Sequence, residues 1–119
     1  MNYGAALFLV ITGFLFSRTA YATSTLSFAG DDCEVQIVVS DTKDEIVGFR
    51  VYEGDNLLRA AEPGELAASR YHYDPKRQTI DLVLSARGKA PKIVLNVRGE
   101  SAIITIGSKR LQLRGDWLK

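Results

Sequence analysis

The fold is decided by residues 80–113, which read IDLVLSARGKAPKIVLNVRGESAIITIGSKRLQL. Large apolar side chains recur here at every second position, as Ile80 and Leu82 illustrate. Side chains of a β-strand point alternately to its two faces, so a period of two places these residues on one face. Short turn sequences separate the apolar runs, and residues 107–108, Gly-Ser, are typical of a two-residue hairpin. The stretch therefore predicts an antiparallel meander.

The same period extends over most of the remaining chain. Eight strands are predicted, at residues 25–29, 35–39, 46–52, 69–73, 80–85, 93–98, 101–106 and 110–113. Residues 57–68 have room only for a short helical piece, because Pro63 and Gly64 interrupt them. Without a helix to cover a sheet, two apolar sheet faces must cover each other. We therefore predict an all-β fold, a small antiparallel β-sandwich or flattened barrel of about seven to eight strands.

An apolar run at the amino terminus predicts export. Residues 5–16 are largely apolar and lead to a small-x-small ending at Ala20 and Ala22, which a signal peptidase recognises. The run is too short for a membrane helix, which needs about 20 apolar residues. We expect residues 1–22 to be a signal peptide that is cleaved after Ala22, leaving no stable membrane anchor. Residues 23–119 then form a single domain in the periplasm.

Charge is divided unevenly along this domain. Residues 23–65 contain ten acidic and three basic residues, a balance of −7, and residues 66–119 contain four acidic and eleven basic residues, a balance of +7. Either the two halves neutralise each other strand by strand, or the molecule is a dipole whose acidic side meets a basic partner. A net charge of zero outside the cytoplasm does not favour nucleic acid as that partner.

Patterns for catalysis or metal binding are weak in this sequence. Cys33 and His72 each occur once, and no fixed spacing supplies the third group that orients a nucleophile and its base. Asp31 and Asp32 precede the cysteine, but a zinc or copper site needs three or four ligands at suitable spacing. We expect no metal, no cofactor and no enzymatic activity.

Cys33 is the only cysteine, so it has no partner for an internal disulfide. Stability must then come from packing rather than from covalent links. Two alternatives remain for the thiol: a buried structural cysteine, or a disulfide-linked homodimer through Cys33.

The best candidate for binding is residues 69–73, which combine a hydroxyl, a guanidinium, an imidazole and two phenols. Tyrosine and arginine are enriched at interface hot spots. Alternation places the two tyrosines on one face and the Arg and His on the other, and half-buried tyrosines of an ordinary strand are the alternative reading. With two acidic residues that would steer a basic partner, the predicted partner-binding residues are Ser69, Arg70, Tyr71, His72, Tyr73, Asp31 and Asp32.

Residues 68–71, Ala-Ser-Arg-Tyr, resemble the Ser-Ala-Ser-Gly-x-Arg-Tyr type segment of periplasmic inhibitors of c-type lysozyme. In those small exported β-proteins the segment plugs the cleft of the enzyme. In size and export the chain is also similar to periplasmic immunity proteins against the cell-wall-degrading toxins of rival bacteria. These resemblances imply an immunity protein or inhibitor that occludes the active site of a cationic cell-wall (peptidoglycan) hydrolase. An adaptor or subunit of a cell-surface assembly that pairs through a sheet edge is the alternative.

Overall fold

The chain enters its first strand directly after Ala22. The computed structural model describes residues 22–117, so the predicted signal segment, apart from Ala22, lies outside the described residues. Within them, nine strands and one helix follow one another. They are β1 (Thr23–Ala29), β2 (Cys33–Ser40), β3 (Ile46–Glu53), β4 (Asn56–Ala61), α1 (Pro63–Ala68), β5 (Arg70–Asp74), β6 (Thr79–Leu84), β7 (Ile93–Arg98), β8 (Ser101–Ile106) and β9 (Lys109–Asp116).

All nine strands join one antiparallel sheet in the order β4-β3-β2-β1-β9-β8-β7-β6-β5. Strands that are consecutive in sequence pair with each other, except β4 and β5, which form the two edges and are joined by α1. The centre of the sheet is instead made by β1 and β9, the first and last strands of the described chain. The sheet curls into a half-barrel, and its inner face carries the apolar core.

The all-β prediction is confirmed, but the architecture is one continuous sheet with nine strands rather than a two-layer sandwich with seven to eight. The halves become one sheet because β1 pairs with β9 at Ser27↔Asp116, Phe28↔Gly115 and Ala29↔Arg114. Gly115 permits this contact, since a Cβ on it would lie 2.0 Å from the carbonyl oxygen of Ser27. Curling lets a single sheet cover its own apolar face, which removes the need for a second layer.

The prediction for residues 57–68 was incomplete, because strand β4 takes up the first half of that segment. The helix begins only at Pro63, where proline is well tolerated, since the first helical N–H has no intrahelical partner. The helix is short, and its Leu66 is fully buried in the core.

The inner face follows the predicted alternation. In β2 every second residue from Cys33 to Val39 is buried, and β6 and β7 show the same period. These buried apolar side chains each stabilise the fold by about 1.5–3 kcal/mol relative to exposure. The apolar residues on the outer face are half-buried: Val38, Val83, Val94 and Ile103.

One charged side chain lies inside the half-barrel. Arg59 of β4 is only 4% exposed, and its guanidinium donates hydrogen bonds to both carboxylate oxygens of Glu65 in α1. It also donates to the carbonyl oxygen of Ser85, at 3.2 Å, in the loop after β6. Arg87 of the same loop approaches the other side of Glu65 at 3.3 Å. This cluster connects edge strand β4, the helix and the β6–β7 loop across the open side of the sheet.

Hydrogen bonds from Arg59 lower the pKa of the Glu65 carboxyl, and the charges of Arg59 and Arg87 act in the same direction, although partial burial opposes them. A carboxyl whose pKa is lowered by folding stabilises the folded state above its unfolded pKa, about 4.3. That contribution is lost as the pH falls through the lowered folded value.

We expect Glu65→Gln to lower the free energy of unfolding by about 2 kcal/mol at pH 7, because it leaves the buried Arg59 without its counter-charge. Urea unfolding followed by circular dichroism measures the loss, with Glu62→Gln, an exposed residue at the helix start, as the matched control. The difference in the free energy of unfolding between Glu65→Gln and the unmodified protein should become smaller as the pH is lowered below 4. An equal difference in the free energy of unfolding at pH 3 and pH 7 would contradict the assigned role of the carboxylate.

We expect Gly115→Ala to destabilise the fold by about 3 kcal/mol or more, because its methyl group would overlap Ser27 and Phe28 at the β1–β9 contact. Thermal and urea unfolding measure the effect. Gly64→Ala is the control: nothing lies within 4 Å of its Cβ position and it is helical, so it should be neutral or stabilising by about 0.5–1 kcal/mol. Equal stabilities for the two variants would exclude a tight β1–β9 contact.

Candidate functional site

The predicted binding segment, residues 69–73, spans the end of α1 and most of edge strand β5. Ser69 caps the helix, and its hydroxyl donates a 2.7 Å hydrogen bond to the carbonyl oxygen of Glu65. As alternation predicts, Arg70 and His72 are exposed on the outer face, whereas Tyr71 and Tyr73 are half-buried against the core. The segment therefore presents a cation and an imidazole to solvent from an edge of the sheet.

The two tyrosines attach this edge to the opposite side of the half-barrel. The phenol oxygen of Tyr71 accepts a 3.4 Å hydrogen bond from the backbone N–H of Ile46, at the start of β3. The ring of Tyr73 stacks on Trp117, with 6.1 Å between ring centroids and 12° between ring planes. The indole N–H of Trp117 in turn donates a 2.7 Å hydrogen bond to the carbonyl oxygen of Gly99. Both tyrosines thus have structural roles beside any role in binding.

Edge strand β5 lies beside the acidic turn that joins β2 and β3. Tyr73, Trp117, Asp41 and Asp44 line one open cavity of about 210 Å³. Burial raises the pKa of the Tyr73 phenol, and the carboxylates of Asp44 and Asp41 raise it further. The acidic turn thus lies beside the inward-facing Tyr73, whereas Arg70 and His72 point to the outer face of the same strand.

His72 is one end of a row of polar side chains on the outer face of β5, β6 and β7. Its cross-strand neighbour is Asp81, which pairs in turn with Asn96 on β7. The amide of Asn96 donates a 2.7 Å hydrogen bond to the Asp81 carboxylate, and Arg98 adds a 3.0 Å ion pair. The bond from Asn96 is the main cause that lowers the pKa of Asp81, and Arg98 and His72 contribute. Asp81 is already satisfied by these partners, so His72 is the member of the row with a side chain available to another molecule.

Asp31 and Asp32, the other predicted residues, lie in the β1–β2 turn and do not join the β5 segment. This turn precedes β2, whereas the turn beside β5 follows it, so the two groups lie at opposite ends of that strand. Asp32 has a φ of +125°, a conformation that costs a non-glycine residue about 1–3 kcal/mol. Its backbone is fixed by hydrogen bonds with Gly30 and Gly54, at 3.1 and 2.9 Å.

The Asp31–Asp32 turn borders another cavity, a cleft of about 800 Å³ that we call the β9 cleft. One wall comes from the turn together with Cys33 and Glu53, and the other comes from β8 and β9. The lining residues are Ala29, Gly30, Asp31, Asp32, Cys33, Glu53, Ser101, Ala102, Ile103, Lys109, Arg110, Leu111, Gln112, Leu113 and Arg114. The tips of two long side chains join the walls through a 3.1 Å ion pair between Lys109 and Glu53.

The sequence did not predict the β9 wall of this cleft. Lys109 and Arg110 follow a recognisable hairpin turn, but nothing local shows that they come to face Asp31 and Asp32. That juxtaposition depends on the pairing of β1 with β9, which joins residues more than 80 positions apart.

Cys33 lies at the inner side of the β9 cleft and is only 7% exposed. Burial raises the pKa of its thiol, the carboxylates of Glu53 and Asp32 raise it further, and Lys109 acts in the opposite direction. A thiol with a raised pKa is mostly protonated at neutral pH and is a poor nucleophile.

We expect the Cys33 thiol to react with an aromatic disulfide reagent at pH 8 at least about a hundredfold more slowly in the folded protein than in urea. The release of the coloured thiolate measures both rates. Non-reducing electrophoresis of concentrated protein is the companion measurement. Equal rates in buffer and urea, or a covalent dimer, would show that the thiol is accessible.

The strand order keeps the two charge classes apart in space. The acidic segment, residues 23–65, contains β1 to β4, which lie side by side on one half of the sheet. The basic segment contributes β5 to β9, which form the other half. We call these the acidic half and the basic half. Sequence halves have thus become spatial halves of the sheet.

Among residues 22–117, few ion pairs join the acidic half to the basic half. Two pairs cross between the halves, Lys109 with Glu53 and Arg87 with Glu65. Three further pairs lie within the basic half: Arg77–Asp74, Arg98–Asp81 and Arg114–Glu100. Seven exposed carboxylates of the acidic half form no ion pair with described residues: Asp31, Asp32, Asp41, Asp44, Glu45, Asp55 and Glu62.

The described part of the chain, residues 22–117, offers neither a metal-binding cluster nor a membrane-spanning helix. It contains no group of three or more His, Cys, Asp or Glu side chains arranged to hold a metal ion. None of its helices combines the length and apolar character needed to span a membrane. Comparisons of the chain with protein-family models, with curated proteins and with solved structures find no match.

Proposed function

We propose that this protein is a periplasmic binding protein that neutralises its partner by direct contact. In this proposal it is an immunity protein or inhibitor that occludes the active site of a cell-wall hydrolase. The observation that carries the proposal is the separation of the domain into an acidic and a basic half. Enzymes that act on polyanionic cell wall are often cationic, and an acidic surface attracts such a partner over distances of about 8–10 Å.

The arrangement around β5 supports a specific mode of contact. Arg70 and His72 project outward from the sheet edge, and the acidic turn with Asp41 and Asp44 lies beside Tyr73 of the same strand. A basic side chain that enters an acidic catalytic cleft pairs with its carboxylates, while neighbouring acidic groups meet the basic rim of the enzyme. The rigid anchoring of Tyr71 and Tyr73 holds this edge in place before binding, which reduces the entropy lost in the complex.

The proposal is tested with residues 23–119 and a panel of cationic peptidoglycan hydrolases: a c-type lysozyme, a lytic transglycosylase and an amidase. Clearing of a peptidoglycan suspension measures their activity. We expect stoichiometric inhibition of at least one enzyme, with an association rate that falls as salt is raised, because exposed charges steer the encounter. No inhibition of any panel member at equimolar protein would count against the proposal.

Arg70→Ala with His72→Ala should weaken inhibition of the responsive enzyme by about 100-fold, if these side chains pair with catalytic carboxylates. Lys89→Ala is the matched control, since it removes an exposed cation of the β6–β7 loop, outside the β5 segment. Equal inhibition by the double variant and the control would place the contact on another surface.

A further inference from the structure

We infer that the β9 cleft is a second binding site, which takes an extended cationic peptide segment of another protein as an added strand beside β9. The inference does not require a hydrolase as partner, and it concerns a surface other than β5. It rests on an unpaired strand edge, on the size and lining of the cleft, and on its charge.

The unpaired edge follows from the pairing of β9. On one side β9 pairs with β8 from Lys109 to Arg114, but on the other side it meets β1 only from Arg114 onward. The strand β1 ends at Ala29, and the chain then turns away at Gly30. Residues 109–112 of β9 are therefore left without a neighbour on that side within the described chain.

The direction of the backbone groups follows from the alternation in antiparallel sheets. Gly115 donates its N–H to Glu100, on the side of β8. Residues 113, 111 and 109 share that direction, so Arg110 and Gln112 point their backbone groups the opposite way, into the cleft. The carbonyl oxygen of Gln112 indeed lies toward Gly30, 2.6 Å from the position of a Cβ on that glycine. The N–H groups of Arg110 and Gln112 and the carbonyl of Arg110 are thus available to an incoming strand.

The dimensions fit a short strand. Four residues of β9, 109 to 112, span about 13 Å, enough to pair with a segment of four to five residues. Gly30 closes one end of this edge, and the cleft has a volume of about 800 Å³. Leu111, which is half-buried against the core, contributes apolar surface that suits an apolar residue of the guest.

The charge of the cleft selects a cationic guest. Of the three cations of its wall, Lys109 pairs with Glu53 and Arg114 pairs with Glu100, which leaves Arg110 against the two carboxylates of the β1–β2 turn. Asp31 and Asp32 form no ion pair with any described residue. The φ of Asp32 belongs to the turn that borders the β9 cleft. A lysine or arginine in the guest strand would provide the missing counter-charge.

The probe is an acetylated and amidated peptide with the sequence Val-Lys-Val-Lys-Val, labelled for fluorescence anisotropy. Its matched control carries N-methyl groups on the two lysine amides, which keeps the charge but removes strand pairing. We expect binding of the first peptide and at least about tenfold weaker binding of the second. Equal binding of both peptides, or of neither, would overturn strand addition.

Hydrogen exchange of the unmodified protein locates the site without any substitution. The peptide should slow exchange of the Arg110 and Gln112 amides and leave the edges β4 and β5 unchanged. Protection at β4 or β5, or no protection at all, would overturn the assignment. Asp31→Asn with Asp32→Asn should weaken the peptide by about tenfold, and unchanged affinity would refute the cationic guest.

Arg110→Pro removes the available N–H and leaves the β8 pairing intact, so it should abolish binding, whereas Arg110→Ala should not. Sedimentation without peptide tests the competing occupant. Dimers that Arg110→Pro abolishes would overturn the proposal in favour of a second copy of the chain. Unchanged affinity of Arg110→Pro for the peptide would show that the peptide does not pair with β9. That result would overturn this inference whether or not the protein inhibits a hydrolase.

Discussion

The structure depends on the contact between β1 and β9. It is only three residues long, and it requires Gly115, because any side chain there would collide with Ser27 and Phe28. This contact joins two sequence halves into one sheet, and it places the acidic half next to the basic half. Strand β1 stops at Ala29, which pairs with Arg114, whereas β9 begins five residues before Arg114, at Lys109. The same contact therefore also opens the β9 cleft. The architecture, the charge separation and the β9 cleft therefore share one origin.

The opposite side of the half-barrel is held by polar rather than apolar contacts. The edges β4 and β5 do not pair, and α1 lies between them with Leu66 in the core. The buried Arg59 is tolerated because Glu65 and two backbone carbonyls accept its hydrogen bonds. Tyr71 adds a hydrogen bond to Ile46 at the start of β3. A polar closure of this kind depends on ionisation, so this side of the fold is sensitive to acid in a way that the apolar centre is not.

Alternation along the strands made most of the fold predictable. It identified β2, β6 and β7, and it assigned Tyr71 and Arg70 to opposite faces, because burial on one face repeats every second residue. It missed β4, since an inward position of that strand carries Arg59, whose burial depends on Glu65 in another element. The candidate site was predictable only in part for the same reason: local pattern gives the face of a side chain, but not which distant strand faces it. Lys109 beside Glu53 is a result of strand order, which no short stretch of sequence encodes.

The placement of β1 and β9 at the centre has a consequence for the order of assembly. The first and last strands of the described chain lie side by side in the middle of the sheet. The hairpins β1–β4 and β5–β8 can form from local contacts, but the long loop between Phe28 and Gly115 must close before the core is sealed. Until then β1 has an exposed edge beside an open apolar face, and such intermediates are vulnerable to aggregation. The segment that contains the first four strands carries a net negative charge. Before the sheet is complete, this charge makes neighbouring chains repel one another.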